Sequence, residues 1–190
     1  MSTAPEEFYS AERWENWLDR LREEEIDPED EDSARLLLNL QDDAAIAVVK
    51  IVSAFEDDEL DEEAAIAELS DVRDIVLADA ALEDEETAML VDGVQTSLLC
   101  VFAAAEEYVL DGPAPDQSIE ELIAAAEAAE AEEEIEDALV LCARAGTLLF
   151  DGEELDLSIA ETLEYGFVAE WVNGLDSLAN ALSDPEVVEE

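Results

Sequence analysis

The sequence predicts an all-helical protein, a compact bundle of about seven helices with long central helices near 33–55 and 84–110. Three observations lead there. Apolar residues make up 49% of the 190 positions, enough to build a core and unlike the composition of an acidic disordered chain. Alanine is so abundant that the core must come from close contacts between slender helices rather than from bulky sheet-forming side chains. Finally, the apolar residues recur at helical spacing between segments that begin with capping side chains and end at Gly or Pro.

The first helix is read over 10–24, with Ser10 as N-cap and Trp14, Leu18 and Leu21 on one face. An acidic loop containing Pro28 follows. Ser33 to Phe55 reads as a central helix, because its apolar residues, from Leu36 to Val52, cover nearly the whole circumference. Residues 61–78 give an amphipathic helix with Ile66, Leu69, Val72 and Val76 inward and an acidic first turn that suits the helix dipole. The second central helix, 84–110, carries Met89, Leu90, Val94, Leu98, Val101 and Phe102 as its expected core stripe and should pack against 33–55.

Gly112, Pro113 and Pro115 end that helix and form a short turn. The turn divides a single domain, 1–190, into subassemblies 1–111 and 116–184, with 185–190 as a frayed tail. Ser118 and Glu121 form a capping box for a helix to about Glu130. The next helix, from about Glu133 to Phe150, carries Ile135, Leu139 and Cys142 and stops at Asp151 and Gly152. A second box, Ser158 with Glu161, is expected to open one last long helix to about Ser183, ended by Asp184 and Pro185.

Charge narrows the function. Lys+Arg number 7 against 56 Asp+Glu, a net charge of −49, and histidine is absent. Phosphate binding relies on clustered Lys and Arg, so direct DNA or RNA binding is not expected. Without histidine, the usual general base, the usual zinc ligand and Ser-His or Cys-His nucleophile pairs are missing. No uncharged apolar run of membrane-spanning length and no secretory leader is read, which points to the cytoplasm. Cys100 and Cys142 lie inside apolar helices and are expected as buried free thiols rather than a disulfide or metal pair.

The acidic residues recur on every polar face instead of forming one block, and Lys50 is the sole lysine. This favours adaptation to molar salt over a dedicated acidic surface. For a folded area of roughly 9,000 Å² the carboxylates stand about 13 Å apart. At about 0.1 M salt their summed repulsion is on the order of 10 kcal/mol as an upper bound, comparable to a domain's whole stability. At about 1 M it falls below about 1 kcal/mol, so a high concentration of monovalent salt is expected to be required for folding.

Three places stand out as candidate sites, each with a structural alternative. The first helix concentrates Arg13, Arg20 and Arg22 with Phe8, Tyr9, Trp14 and Trp17. Arg13, Trp14, Trp17 and Arg20 could form a partner-docking surface, since Arg and Trp are frequent interface anchors; alternatively the arginines pair with local acids and both tryptophans pack inward. The last helix mixes Tyr165, Gly166, Phe167, Trp171, Asn173 and Gly174, where the glycines serve either close helix packing or a small-ligand pocket. Lys50 sits in an apolar run and Asp92 interrupts another, so a buried Lys50–Asp92 pair fixing helix register is expected, with a reactive lysine as the alternative. Arg73 and Arg144 are read as structural ion pairs in the same way. No catalytic residue, cofactor or metal site is assigned: neither Asp57–Glu63 nor Asp151–Asp156 has the ligand spacing of a calcium loop.

The stretches FYSAERWENWLDRL, DEDSARLLLNLQD, AMLVDGVQTSL and EYGFVAEWVNGLDSL, spread over nearly the full length, resemble an uncharacterised family from halophilic archaea, a domain of unknown function. The resemblance implies a salt-rich cytoplasm and a helical fold, and it carries no catalytic or binding residues to transfer. The leading expectation is therefore a non-enzymatic protein that binds an unidentified protein partner or a second copy of itself. The alternatives are a helical enzyme or small-ligand binder with a pocket near Lys50 or Gly166–Gly174, and an acidic nucleic-acid mimic.

Overall fold

Local capping sets most of the helix starts. In the computed structural model, residues 9–24, 26–27, 29–78, 82–156, 158–164 and 166–183 are described; Phe8, Pro28, Tyr165, Asp184 and Pro185 lie outside them. Ser10 accepts the Arg13 amide at 3.1 Å and opens α1, Ala11–Glu23. Asp30 caps α2, Glu31–Glu56, and Asp61 caps α3, Glu62–Val76, each carboxylate taking an amide of the first turn. Asp84 accepts both the amide and the hydroxyl of Thr87 at the head of α4, Glu85–Asp111. The Ser118–Glu121 capping box forms as expected on α5, Ile119–Ala131, and α6, Ile135–Phe150, ends at Asp151 and Gly152. Gly112 and Gly152 adopt φ of 78° and 101°, the left-handed region where a side chain would be strained.

The last expected helix is two. A short α7, Ser158–Thr162, is followed by α8, Phe167–Ser183. Ser158 is the first residue of α7 rather than its cap: among the described residues no amide donates to its hydroxyl, and its own amide donates to the Asp156 carboxylate at 2.9 Å. The break has a tertiary cause. Glu130 on α5 places its carboxylate at the head of α8, accepting the amides of Phe167 at 2.6 Å and Val168 at 3.3 Å. A continuous helix would have bonded those amides internally and left Glu130 nothing to accept.

Residue pairings fix the direction of the long helices. Ala104 meets Gly146 and Tyr108 meets Phe150, so α4 and α6 advance together four residues at a time. Glu170 approaches Gly93, and Gly174 packs on Ser97, so α8 runs parallel to α4 as well. Glu56, the last residue of α2, accepts the Tyr108 hydroxyl at 2.7 Å, which aligns α2 with the same set. Helix α3 runs back: Arg73 pairs with Glu106, while Gln95, a long way N-terminal on α4, reaches the Val76 carbonyl at 2.9 Å. The expected packing of α4 against α2 is present, and α8 lies against α2, α4 and α6.

Small residues make this possible. A Cβ on Gly146 would stand 2.4 Å from the Ala104 Cβ, and one on Gly174 would stand 2.1 Å from the Ser97 carbonyl oxygen. Around these approaches lies one continuous apolar cluster drawn from both sides of the Gly112–Pro115 turn, with Leu40, Leu69, Leu98, Phe102, Leu122 and Leu175 fully enclosed. Among the described helices α4 has the length and apolarity of a membrane span, with a mean hydropathy of 1.6 over its best window. Its position among α2, α3, α6 and α8 accounts for that composition.

Two expected core assignments are overturned by helical phase. Met89 is 75% exposed. The inward stripe at the start of α4 is carried by Thr87, Val91 and Val94, and Met89 falls about 200° round from Thr87, two residues at about 100° each. On α2 the apolar surface is interrupted by an outward stripe that includes Arg35, Leu38, Asn39, Lys50 and Ser53.

Candidate functional site

The strongest polar centre joins α1 to α2. Asp43 follows Leu36 and Leu40 along the inward face of α2, and only 3% of it is exposed. Arg13 grips this carboxylate with two donors, Nε to Oδ2 at 2.7 Å and a terminal nitrogen to Oδ1. The indole Nε1 of Trp17 donates to Oδ2 at 3.0 Å. A bidentate guanidinium and a third donor supply what a buried carboxylate loses in leaving water. The hydrogen bond to Asp43 holds the Arg13 guanidinium above its ordinary range. Tyr9 is buried beside the pair, and its hydroxyl is pushed up first by burial and then by the charge of Asp43.

This centre separates the four residues proposed as a docking surface. Trp14, with Leu18 and Leu21, is in the core. Arg13 and Trp17 are turned to Asp43, although Trp17 keeps part of its ring in solvent. Arg20 is exposed, its guanidinium carbon 5.0 Å from the centre of the Trp17 ring. Among the described residues no carboxylate of the chain lies within ion-pair distance of Arg20, whereas the neighbouring Arg22 reaches Asp19 at 2.8 Å and Glu15 at 3.3 Å.

The second expected pair is corrected. Lys50 and Asp92 are both exposed, and no ion pair joins them among the described residues. Lys50 occupies the outward stripe of α2, and Asp92 lies on the outer face of α4 near Thr96, whose hydroxyl donates to the Asp92 carbonyl at 2.9 Å. The premise of a desolvated lysine goes with the burial. Arg73 pairs with Glu106, and Arg144 with Glu107 at 3.4 Å, both structural links between helices.

A further polar centre, between α2 and α8, was not singled out from the sequence. Gln41, 2% exposed, donates to the Ser177 hydroxyl at 2.8 Å and to the Asn173 carbonyl at 3.3 Å. Asp42 beside it is raised, chiefly by burial and further by the charge of Asp176, against the opposing effect of a Ser177 hydrogen bond. Burial raises Asp176 as well. Gly166 and Gly174 serve contact: the place of a Gly166 side chain is taken by the Glu130 carboxylate, and that of Gly174 by the Ser97 backbone. Cys100 and Cys142 are buried and free, as expected. Among the described residues no group of three or more Cys, Asp or Glu is placed to hold a metal ion.

Fold and polar centres together define an acidic, alanine-rich helical bundle whose first helix is pinned by a buried carboxylate and carries, on a tryptophan face, an arginine with no carboxylate partner among the described residues. The chain belongs to the family described as "uncharacterized protein conserved in archaea (DUF2150)", whose match covers residues 7–190. No curated protein and no solved structure matches it.

Proposed function

We propose that this is a non-enzymatic protein of a salt-rich archaeal cytoplasm that works by binding another protein, with the Trp17–Arg20 face of α1 as its contact surface. The observation that carries the reading is the position of Arg20. In so acidic a chain, this exposed guanidinium pairs with no carboxylate among the described residues and lies instead over an indole ring. Arg35 and Lys50 are exposed cations without a carboxylate partner among the described residues too, but neither has an aromatic base. A guanidinium resting on a tryptophan that is itself held through Asp43 has little freedom left to lose on binding. The pair fits a partner that offers a carboxylate beside an apolar contact, and short-range contacts of this kind survive molar salt better than long-range attraction.

The test compares the tagged wild type, Arg20→Glu and Lys50→Glu in captures from archaeal cells at molar salt. A partner kept by wild type and by Lys50→Glu, and lost from Arg20→Glu at unchanged helicity, is the expected result. Equal retention by all three, or nothing retained by any, would overturn the reading.

A further inference from the structure

The chain has two cysteines, and the fold brings them to the same place. Helices α4 and α6 run parallel, matched at Ala104 with Gly146 and at Tyr108 with Phe150. One turn earlier on each helix, the same register sets Cys100 beside Cys142. Both side chains are fully enclosed, at 0% exposure. Cys142 is near enough to Cys100 to add to the effect of burial in raising its thiol. The neighbouring layer is the tight one, since no side chain fits between Gly146 and Ala104, so the helix axes are close where the sulfurs meet. Bridging two cysteines requires Cα atoms about 4.4–6.8 Å apart and facing Cβ atoms, a separation within reach of helices packed through glycine and alanine.

We propose that Cys100 and Cys142 are a reversible dithiol–disulfide pair, oxidised by a peroxide, that locks α4 to α6 across the Gly112–Pro115 turn. The balance is simple. One thiolate attacks a peroxide oxygen and the O–O bond breaks; the sulfur becomes a sulfenic acid, and the departing hydroxide takes up a proton as water. The second thiolate attacks that sulfur, the S–O bond breaks, and a second water leaves. Two thiols lose two protons and two electrons in all, and the peroxide receives both.

Peroxide is the oxidant that fits, because a mixed disulfide with a larger thiol has no room in this layer. Burial also pushes the Cys100 thiol well above its ordinary range, which keeps the pair reduced and slow to react until peroxide is sustained. The S–S bond is shorter than the thiol–thiol contact it replaces, so the layer tightens without a new cavity. The cross-link closes a long loop that contains the turn and all of α5.

The full chain, folded at molar salt, is exposed to hydrogen peroxide, then unfolded and alkylated. The proposal expects the linked Cys100 and Cys142 peptides at a mass lower by two hydrogens, whatever oxygen the exposed Met89 takes up, no alkylation of either cysteine, recovery of both thiols with dithiothreitol, and a Tm higher by about 10 °C in the oxidised form. Cys142→Ser should instead gain oxygen at Cys100 or stay unmodified, with no rise in Tm. Because that variant disturbs a full core, the wild-type mass and alkylation result decides on its own. Wild type that keeps two alkylatable thiols, that gains oxygen at Cys100 or Cys142, or that forms its disulfide only between chains or only after unfolding would overturn the proposal.

Discussion

Gly174 of α8 rests on the backbone of Ser97 of α4: a Cβ at Gly174 would lie 2.1 Å from the Ser97 carbonyl oxygen and 2.7 Å from its carbon. Backbone cannot turn aside as a flexible side chain can, so Gly174→Ala must push α8 off α4. A loss of roughly 2–3 kcal/mol is expected by chemical denaturation. Gly93, on the same pair of helices, is the control. Its nearest prospective neighbour is the Glu170 carboxylate at 3.8 Å, so Gly93→Ala should be tolerated and gain up to about 1 kcal/mol from helix propensity.

Removing Arg13 would strand a carboxylate that is 3% exposed. Arg13→Ala should cost roughly 2–4 kcal/mol, less than a wholly buried pair because the arginine is half in solvent. Replacing both partners, Arg13→Met with Asp43→Leu, should restore most of the loss. A double variant as unstable as the single one, measured by the same unfolding curve, would show that the pair does more than neutralise itself.

Asp42 and Asp176 are both raised by burial, so the folded state holds their protons more tightly than the unfolded chain does. Their effect on stability therefore opposes folding once pH rises through the folded values, and it is relieved as pH falls toward the ordinary aspartate range near about 4. Asp42→Asn should raise Tm at neutral pH and flatten the pH dependence just above that range. Asp84 works in the other direction: the Thr87 hydroxyl and amide hold it low, so its support is present above the ordinary range and is lost on stronger acidification. A Tm profile of Asp42→Asn that parallels wild type at every pH would count against this assignment.

The charge predicts its own salt dependence. At a net charge of −49, helicity measured by circular dichroism should fall as sodium or potassium chloride is diluted from molar to about 0.1 M and return on re-addition. A chain that stays fully helical and cooperative in dilute buffer would contradict it.

Much of the fold was legible because its signals are local. Ser10, the Ser118–Glu121 pair and the Gly112–Pro113 turn each act within a few residues of themselves, and they fall where the sequence places them. The division between α7 and α8 was not legible, because the group responsible, Glu130, belongs to another helix. Met89 and Lys50 were misplaced by phase, since in helices this apolar one outward residue looks much like its inward neighbours. Asp43 did carry a signal, a carboxylate in line with Leu36 and Leu40. Among so many acids it went unremarked, and with it the actual roles of Arg13 and Trp17.

The parallel run of α2, α4, α6 and α8 has a consequence for how the protein is made. As the chain emerges from the ribosome, the walls contributed by Gln41, Ser97 and Gly146 exist well before the helix that fills the space between them. Until residues 167–183 are out, the nascent bundle holds an open trough, and α8 is the keystone that closes it. Up to that point wild type and variant chains are alike, so variants that weaken α8 should prolong the open state after α8 has emerged rather than create it.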